Sequence, residues 1–405
     1  MGPLAGIRIL DMTSVLMGPL ATTILGDLGA EVIKLEPLAG DVIRRVGPSR
    51  SGEMGGLFLH ANRSKRSIAV DLKRPEGLQI ALDLAASADV LVYNIRPGAM
   101  TRLGLGYEAV KARRPDILYV GAFGYGQDGP YAQDPAYDDL VQGLAAIPTL
   151  IAEASGGEPR YVPVNIADRM VGLYAGNAIL AGLLHRAKTG EGQRIDVPMF
   201  ETMASLVLGD HLGGLSFEPP LDGGGYARLM TASRAPFRTR DGWLCCLLYT
   251  PANRRDFANL LGSVAGAEAP ARAIREGEGP AVNAALAEAL ALRDTAEWLA
   301  LLAGTDIPHK PLHSIASLRA DPHLEAVGFF KRETHPSEGP VVTMKPPSSW
   351  SVTAPVPRGP APRLGAQSRE ILGEISRSPD EIEALFKAGV IGEPLQEAKS
   401  AAADR

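Results

Sequence analysis

Short apolar strands alternate with helical segments through the first half of this chain, and that alternation constrains the fold more than any other sequence feature. The predicted strands cover residues 7–12, 31–35, 67–71, 89–94 and 117–123. Helical spacing fills two of the intervals, over 19–28 and over 75–87, where proline takes the first helical position. The pattern predicts an α/β fold with a Rossmann-like, open and mostly parallel sheet that helices cover. Ligands of such sheets usually bind beyond the carboxyl ends of the strands.

The second half of the chain has a different composition, which indicates a second domain. Residues 212–225 are rich in glycine and proline, and the Asp241-Gly242 pair predicts a hairpin turn. A chain of 405 residues also exceeds what one hydrophobic core usually serves. We therefore expect a large α/β domain over 1–210, a small α+β domain over 211–330 and a C-terminal segment over 331–405.

Composition excludes several classes of protein. No apolar stretch is long enough to cross a bilayer, and the N-terminus lacks the pattern of a secretion signal, so a cytoplasmic protein is expected. A net charge of −5 argues against nucleic acid as a partner. Cys245 and Cys246 are adjacent in a predicted strand, where their side chains face opposite sides, so we expect structural thiols and not a disulfide framework.

Asp168 is the strongest candidate for chemistry. It lies where an extended, proline-marked segment turns into a long helix rich in small residues. This position places a carboxylate near the positive end of the helix dipole and directs its oxygens toward a cleft, as a nucleophile requires. An ordinary N-cap aspartate has the same local sequence, so both interpretations stay open at this point.

A glycine-rich run, G-x-G-x-x-G over 124–129, follows a predicted strand. A dinucleotide site needs such a run to open directly into a helix, whereas Pro130 and Pro135 follow here, so we expect a turn and no nicotinamide or flavin site. The first strand-to-helix turn, residues 13–19, presents a helix N-terminus at the sheet edge and remains a candidate anion or ligand site.

Metal and hydrolase chemistry lack support in the sequence. His309 and His313 have a spacing that binds zinc on a helix, but Pro308 and Pro311 interrupt any regular helix there, so no metal site is expected. The chain has no G-x-S-x-G elbow for a hydrolase triad.

Basic residues cluster near the ends of predicted strands, in residues 62–66, 73–74 and 94–98 and at Arg102. Each alone is typical of a solvated surface charge. Together they are able to neutralise several phosphates, because Arg and Lys side chains complement phosphate oxygens.

Read in order, several segments resemble class III CoA-transferases of the CaiB/BaiF type, the family of formyl-CoA transferase and carnitine CoA-transferase. Order and spacing over nearly the whole chain carry the resemblance. The matching segments are 6–11 with 18–19, 28–36, 62–73, 94–98 with 102, 124–130, 137–138, 167–168, 189–193, 307–308, 321–323 and 364–365.

The resemblance implies a mechanism and partners. Asp168 would attack the acyl-CoA carbonyl, form a mixed anhydride and then an aspartyl-CoA thioester, with oxyanion donors from the backbone around 15–18 or 223–225. Acyl-CoA and a carboxylic acid would be the substrates, coenzyme A the carried group, and no cofactor or metal would be bound permanently. The family also implies an interlocked homodimer in which residues 331–405 return to the large domain, with no membrane or nucleic-acid partner.

By the same resemblance, site residues carry over position by position. The thiol end of CoA would be lined by Val15, Leu16 and Met17; the nucleotide portion would be contacted by Val70, Lys73, Asn94, Ile95 and Arg102; and Tyr137 and Asp138 would lie beside the acyl group. The chain has Leu16 where formyl-CoA transferase has glutamine and Pro37 where it has arginine. These departures put oxalate-like substrates in doubt and indicate a less polar acyl pocket.

Two other functions remain open. The same fold hosts α-methylacyl-CoA racemases, isomerases whose catalytic histidine falls at Tyr137 here. A neutral tyrosine is a poor base near pH 7, so the sequence favours transfer over racemisation. The other alternative is a catalytically silent CoA-binding protein in which Asp168 only caps a helix.

Overall fold

The structure is a computed structural model that describes residues 2–392. The chain divides into two compact units. Within the described residues, the larger comprises 2–147, 161–209 and 326–392, and the smaller comprises 148–160 and 210–325. No helix in the described part of the chain is long and apolar enough to span a membrane.

A six-stranded parallel sheet forms the centre of the larger unit, within residues 2–392. Its strands are β1 Arg8–Met12, β2 Glu31–Glu36, β3 Lys65–Ala69, β4 Val90–Tyr93, β5 Leu118–Phe123 and β6 Gln193–Pro198. They lie in the order β3-β2-β1-β4-β5-β6, and every neighbouring pair is parallel. The α/β class predicted from the alternation is confirmed. The order reverses between β1 and β4, where such sheets open a crevice for ligands.

The helices follow the strands as the alternation predicts, with additional short ones between them. The first half of the chain contains α1 Met17–Asp27, α2 Gly56–Ala61, α3 Pro75–Ser87, α4 Pro97–Arg102, α5 Tyr107–Arg113, α6 Asp138–Leu144, α7 Ile147–Ser155, α8 Ile166–Thr189 and α9 Met199–His211. The second half contains α10 Pro251–Leu260, α11 Glu268–Glu276, α12 Pro280–Leu290, α13 Thr295–Leu302, α14 Ile315–Arg319, α15 Pro322–Ala326, α16 Ser368–Glu374 and α17 Pro379–Lys387.

Both faces of the parallel sheet are buried, because successive side chains of each strand point to opposite sides. Leu10 packs under α3 with Ile80 and Leu84, together with residues of α16 and α17. Its neighbour Ile9 faces the other side, where it packs with Ile179 of α8. The sheet therefore fixes α1 and α8 on one face and leaves the loops at its carboxyl edge to form the site.

The smaller unit has its own core beneath an antiparallel sheet of β7 Phe237–Arg238, β8 Trp243–Cys246 and β9 His309–Pro311. The predicted Asp-Gly turn joins β7 to β8. Trp298 is fully buried and stacks on Phe257, with ring centroids 5.8 Å apart. Cys246 is buried, Cys245 is half-buried, and both thiols are free.

The last part of the chain packs on the edge of the parallel sheet beside β3. An antiparallel hairpin of β10 Phe330–His335 and β11 Gly339–Met344 precedes an extended stretch. Ile391 then bridges to Val70 just beyond the end of β3, and the Gly392 amide donates to the carbonyl of Ala69. The hydrogen bonds tie the described C-terminal residues to the same end of the sheet as the ligand crevice.

Candidate active site

Asp168 is the third residue of α8 and does not cap the helix. The helix begins at Ile166, and its N-cap residue Asn165 makes no side-chain capping bond. The N–H of Asp168 instead donates to Oδ2 of Asp138, over 2.9 Å. The interpretation of Asp168 as an ordinary N-cap is therefore wrong: a carboxylate from another helix supplies the cap and leaves the Asp168 side chain uncommitted.

Asp138 is held in place from its other oxygen. Gln142, one turn along α6, donates its side-chain amide to Oδ1 of Asp138 over 2.6 Å and accepts the N–H of Val162 over 2.9 Å. Gln142 is fully buried and Asp138 nearly so. Sequence reasoning missed Gln142, although the i, i+4 spacing of an aspartate and a glutamine is a signal once α6 is recognised as a helix.

The carboxylate of Asp168 lies in a weakly solvating environment. Within residues 2–392 it accepts no hydrogen bond, and the nearby cation is its own neighbour Arg169. Burial, reinforced by the negative charge of Asp138 and opposed by Arg169, raises the pKa of Asp168 to about 7. Asp168 is half-buried, and a carboxylate that is poorly solvated and accepts no hydrogen bond from the protein keeps its electron density available for attack on a carbonyl.

The turn between β1 and α1 presents backbone amides. Leu16 and Met17 are buried, at 2% and 6% exposure of the whole residue, so their side chains form little of the surface that a ligand would meet. The N–H groups of Leu16, Met17 and Gly18 have no acceptor in the described part of the chain. Three unpaired donors at a helix N-terminus fit the anion site expected in this turn.

The start of α1 lies against the first turns of α8. Met17 packs in one buried cluster with Ala167 and Val171, the residues before and three after Asp168. Gly172 is so close to α1 that an added Cβ would be 2.6 Å from the carbonyl oxygen of Met17. Asp168 lies four residues before Gly172, hence one turn earlier on the same face of α8. The geometry therefore places the Asp168 carboxylate on the side of α8 that meets the free amides.

A cavity of about 560 Å³ opens at the carboxyl ends of β1 to β4. Three of the predicted nucleotide contacts, Val70, Lys73 and Ile95, lie together in its wall, beside Pro37. Val70 is buried and Lys73 is exposed, with no carboxylate partner in the described residues. A mostly apolar wall with an unpaired cation suits an aromatic base that carries phosphates.

The remaining predicted residues do not line this cavity. Arg102 is exposed at the end of α4, next to the cavity residue Leu103. Asn94 accepts the N–H of Ser14 over 2.9 Å and donates to the Ser14 carbonyl over 2.7 Å, so its side chain is engaged by the β1–α1 turn. Tyr137 is 72% exposed beside Asp138.

The basic residues of the 62–66 cluster are structural, contrary to their suggested role in neutralising phosphates. Lys65 is buried and donates to Asp11 over 2.8 Å. Arg63 pairs with Asp27, and Arg66 pairs with Glu374 over 2.6 Å. Their charges are compensated inside the protein. Lys73, Arg96 and Arg102 are cations near the cavity that have no carboxylate partner in the described chain, and Arg96 donates to the carbonyl of Gln133.

No metal centre is formed by the described residues, since no three His, Cys, Asp or Glu side chains there lie close enough to hold an ion. The loop after β5 contains the glycine-rich run, and α6 begins only at Asp138. The run therefore does not open into a helix, as the prolines after it predict.

Comparison with known proteins shows matches over nearly the whole chain. The sequence model of CoA-transferase family III matches residues 4–368. Succinyl-CoA:glutarate CoA-transferase of Mus musculus is 35% identical over 399 residues, which cover 96% of this chain and 91% of that protein. Succinate–glutarate CoA-transferase of Agrobacterium fabrum is 32% identical, over 92% of this chain and 96% of the relative. A crystal structure of a CaiB/BaiF family protein from Brucella suis superimposes with a TM-score of 0.80 at 30% identity, over 93% of this chain and all of the other.

Proposed function

We propose, because this chain belongs to CoA-transferase family III, that Asp168 is the residue that carries the acyl group and then CoA during transfer. The enzyme moves CoA from an acyl-CoA thioester to a carboxylic acid. The observation that carries the proposal for Asp168 is its free carboxylate: the backbone N–H is capped by Asp138 while the side chain accepts no hydrogen bond among residues 2–392.

The reaction follows from a carboxylate nucleophile and a thiolate leaving group. An oxygen of Asp168 attacks the thioester carbonyl and expels the CoA thiolate, which forms a mixed anhydride. The thiolate then attacks the Asp168 carbonyl carbon, releases the donor acid and leaves an aspartyl-CoA thioester. The acceptor carboxylate then attacks the aspartyl-CoA thioester and expels the CoA thiolate, which forms a second mixed anhydride. The thiolate attacks the acceptor-derived carbonyl of this anhydride, so that the new acyl-CoA forms and the carboxylate of Asp168 is restored.

The N–H groups of Leu16, Met17 and Gly18 are the proposed donors to the oxyanion of each tetrahedral intermediate. Their support is that they are unpaired within residues 2–392 and that α1 packs against the first turns of α8. Preorganised donors of this kind typically contribute about 3 kcal/mol each to transition-state stabilisation. The 223–225 glycine run lies in the smaller unit and is not needed for this assignment.

The nucleotide portion of CoA is assigned to the cavity at the carboxyl edge of the sheet. Val70 and Ile95 give it apolar walls, and Lys73 supplies an unpaired charge for phosphate. Arg102, exposed beside the cavity, is the second cation proposed to meet phosphate. Replacing Arg102 by Ala should weaken CoA more than dephospho-CoA if the guanidinium binds the 3′-phosphate, whereas equal losses would remove that assignment.

Short dicarboxylic acids are the proposed substrates. Two relatives at about a third identity are named for exchange between succinyl-CoA or succinate and glutarate. The buried side chains of Leu16 and Met17 leave acid selection to other residues. A panel of CoA thioesters and free acids, with exchanged CoA identified by mass, tests this class; turnover confined to monocarboxylates would contradict it.

A homodimer is proposed from the family resemblance, and exposed apolar side chains on α8 and α9 support it. Leu173, Tyr174 and Leu184 of α8 are each about half exposed, as are Leu206 and Leu208 of α9. Large apolar side chains repeated along two helices are typical of a surface that another chain covers. Light scattering that returned the monomer mass of 42.7 kDa at micromolar concentration would contradict this assembly.

The covalent proposal is tested by trapping the intermediate. Wild-type enzyme with a competent acyl-CoA and hydroxylamine should yield a hydroxamate at Asp168 and lose activity with time. Asp168→Asn should form none and should lose at least about a thousandfold in turnover while CoA binding is retained. Asp139→Asn is the matched control, because Asp139 is an exposed carboxylate in the same region. Unchanged turnover in Asp168→Asn would end the proposal.

A further inference from the structure

The turn that presents the free amides has a strained backbone. Val15 has a φ of +65°, in the left-handed region that β-branched residues avoid because Cβ crowds the following carbonyl. A conformation of this kind persists only where surrounding groups hold it. Val15 directly precedes Leu16, so its backbone angles set the direction in which the next amides point.

Asp41 holds this strained residue from inside the protein. Its Oδ1 accepts the N–H of Val15 over 3.1 Å and that of Ile43 over 3.2 Å. Its Oδ2 accepts from Nζ of Lys34 over 3.0 Å. Asp41 is 2% exposed and Lys34 is fully buried, so the pair is shielded from solvent. A charged acceptor in such surroundings binds an N–H more strongly than water does.

The same network occupies two carbonyls behind the first amides of α1. In an α-helix the N–H of Met17 would bond to the carbonyl of Thr13, four residues earlier. Nζ of Lys34 donates to that carbonyl over 2.8 Å. The equivalent acceptor for Gly18 is the Ser14 carbonyl, which the Asn94 side chain occupies over 2.7 Å. The helix therefore does not extend backward through the turn, and its first donors stay available.

We propose that Asp41, ion-paired to Lys34, is a positioning residue of the transferase reaction, which holds Val15 left-handed and thereby aims the amides of Leu16, Met17 and Gly18 at the reacting carbonyl. The inference rests on the proposed function, since it assigns a purpose to those amides. Asp41 touches no reacting atom. It also lines the cavity assigned to the nucleotide, so a change in KM alone would report on that wall, whereas a change in the acylation rate at saturating acyl-CoA reports on the turn.

Loss of a purely structural ion pair should lower stability without lowering kcat, and Asp27 provides this comparison. Asp27 is also a buried carboxylate of the larger unit, bonded to Arg63 and Ser64, but it lies at the far end of α1 from the turn. Asp27→Asn should lower stability about as much as Asp41→Asn does and leave kcat unchanged. A fall in kcat that is specific to Asp41→Asn therefore reports on the turn.

The decisive experiment is a double-mutant cycle between Asp41 and Val15, read by the rate of Asp168 acylation, by kcat and KM, and by thermal stability. Asparagine has a single acceptor oxygen, which the Lys34 ammonium requires, so in Asp41→Asn an NH2 group faces the N–H groups of Val15 and Ile43. In the wild-type background this change should lower the acylation rate roughly a hundredfold, since small displacements of catalytic donors have effects of this size. In the Val15→Gly background the same change should cost less than about tenfold, because glycine adopts a positive φ without support.

Each outcome is distinct. Equal losses in the two backgrounds, or a stability loss without a change in kcat as in Asp27→Asn, would overturn the positioning role. Coupled losses, with the Asp41→Asn, Val15→Gly double variant no less stable than Asp41→Asn alone, would support it. An absent acyl adduct in the wild type would refute the proposed function itself, whatever the coupling between Asp41 and Val15 in steady-state turnover.

Discussion

The nucleophilic role proposed for Asp168 rests on its carboxylate accepting no hydrogen bond within residues 2–392. An exposed aspartate is well solvated and is a weak nucleophile toward thioesters. Here partial burial and the Asp138 charge raise the pKa of Asp168 to about 7, so near neutral pH a large share of the enzyme holds a reactive, poorly solvated carboxylate. Asp138 contributes twice, since it also fixes the backbone of Asp168 through the N–H bond.

The first prediction concerns the pH dependence of acylation. Only the ionised carboxylate attacks, so the acylation rate should rise about tenfold per pH unit at low pH and level off above the pKa of Asp168, about 7. Asp138→Asn keeps an oxygen for the Asp168 N–H but removes the repulsion, and should therefore shift the midpoint to lower pH. Stopped-flow release of CoA thiolate measures the profile. A midpoint that stays at the same pH in Asp138→Asn would contradict the electrostatic account.

A second prediction follows from linkage. Because the folded-state pKa of Asp168 is raised from 3.8 to about 7, the folded protein binds this proton more tightly than the unfolded chain, and the stability associated with it is lost as pH rises through that window. Asp168→Asn removes this cost and should raise the melting temperature at about pH 8.5 more than at about pH 3.5. Differential scanning fluorimetry over that range is the measurement. An equal change at both ends would mean that the carboxylate is not destabilised by its surroundings.

At the scale of elements, the site depends on how closely α1 approaches α8. Gly172 permits this approach because its hydrogen faces the Met17 carbonyl, while Gly176, one turn later, faces open space. Two glycines on one helix face therefore have different roles. Only the first sets the distance between the free amides and the proposed nucleophile.

The third prediction uses that difference. Gly172→Ala would put Cβ 2.6 Å from the Met17 carbonyl, so α1 must shift; we expect a stability loss of about 1–3 kcal/mol and a fall in turnover. Gly176→Ala is the control and should be neutral or stabilising by about 0.5–1 kcal/mol, since alanine favours the helix. Urea unfolding and steady-state turnover distinguish the two. Equal effects from both substitutions would show that helix approach does not limit the site.

The sequence predicted the strands and long helices of the larger unit well, but it did not predict the short helix α6 that positions Asp138. The apolar runs predicted β1 to β5 because parallel strands are buried on both faces, and Pro75 identified the start of α3. The short helix α6 was missed, so Asp138 was placed only by resemblance and Gln142 not at all. Its seven residues are too few for a clear helical period, and the bond that gives Asp138 its role reaches a residue 30 positions away.

At the scale of the whole molecule, a basic residue that pairs with a carboxylate inside the protein is structural, whereas one without such a partner is available to bind a ligand. Lys65 resembles a phosphate ligand in the sequence, yet it is enclosed with Asp11 beneath the β1–α1 turn. Arg66 pairs with Glu374, which is 308 positions away in the chain. No local pattern encodes such pairs, because they form only when distant segments fold onto one sheet edge. The cations near the cavity that remain unpaired in the described chain, Lys73 among them, are therefore informative about ligands.

The fourth prediction concerns acid stability. Burial opposes ionisation of Asp11 and Glu36, but Lys65 and Arg44 outweigh it and hold the pKa of each carboxyl below its usual range. Their contribution to stability is complete above the unfolded values of 3.8 and 4.5 and is lost as pH falls below them. The urea midpoint should fall steeply from about pH 5 to about pH 3. The urea midpoint of Glu36→Gln should be lower than that of the wild type at about pH 5 and should fall less steeply with pH. A wild-type midpoint independent of pH would contradict the stabilising role of these ion pairs.

The most direct test of covalent transfer through Asp168 follows an oxygen atom of the acceptor acid. If the acceptor carboxylate attacks an aspartyl-CoA thioester and the thiolate then takes the acyl group, one acceptor oxygen must remain on Asp168. A single turnover with an ¹⁸O-labelled acceptor acid should therefore add about 2 Da to the peptide that contains Asp168 and to no other peptide, and repeated turnover should add up to about 4 Da as the second carboxylate oxygen exchanges. A fully exchanged substrate pool with an unlabelled Asp168 peptide would contradict covalent transfer through this residue.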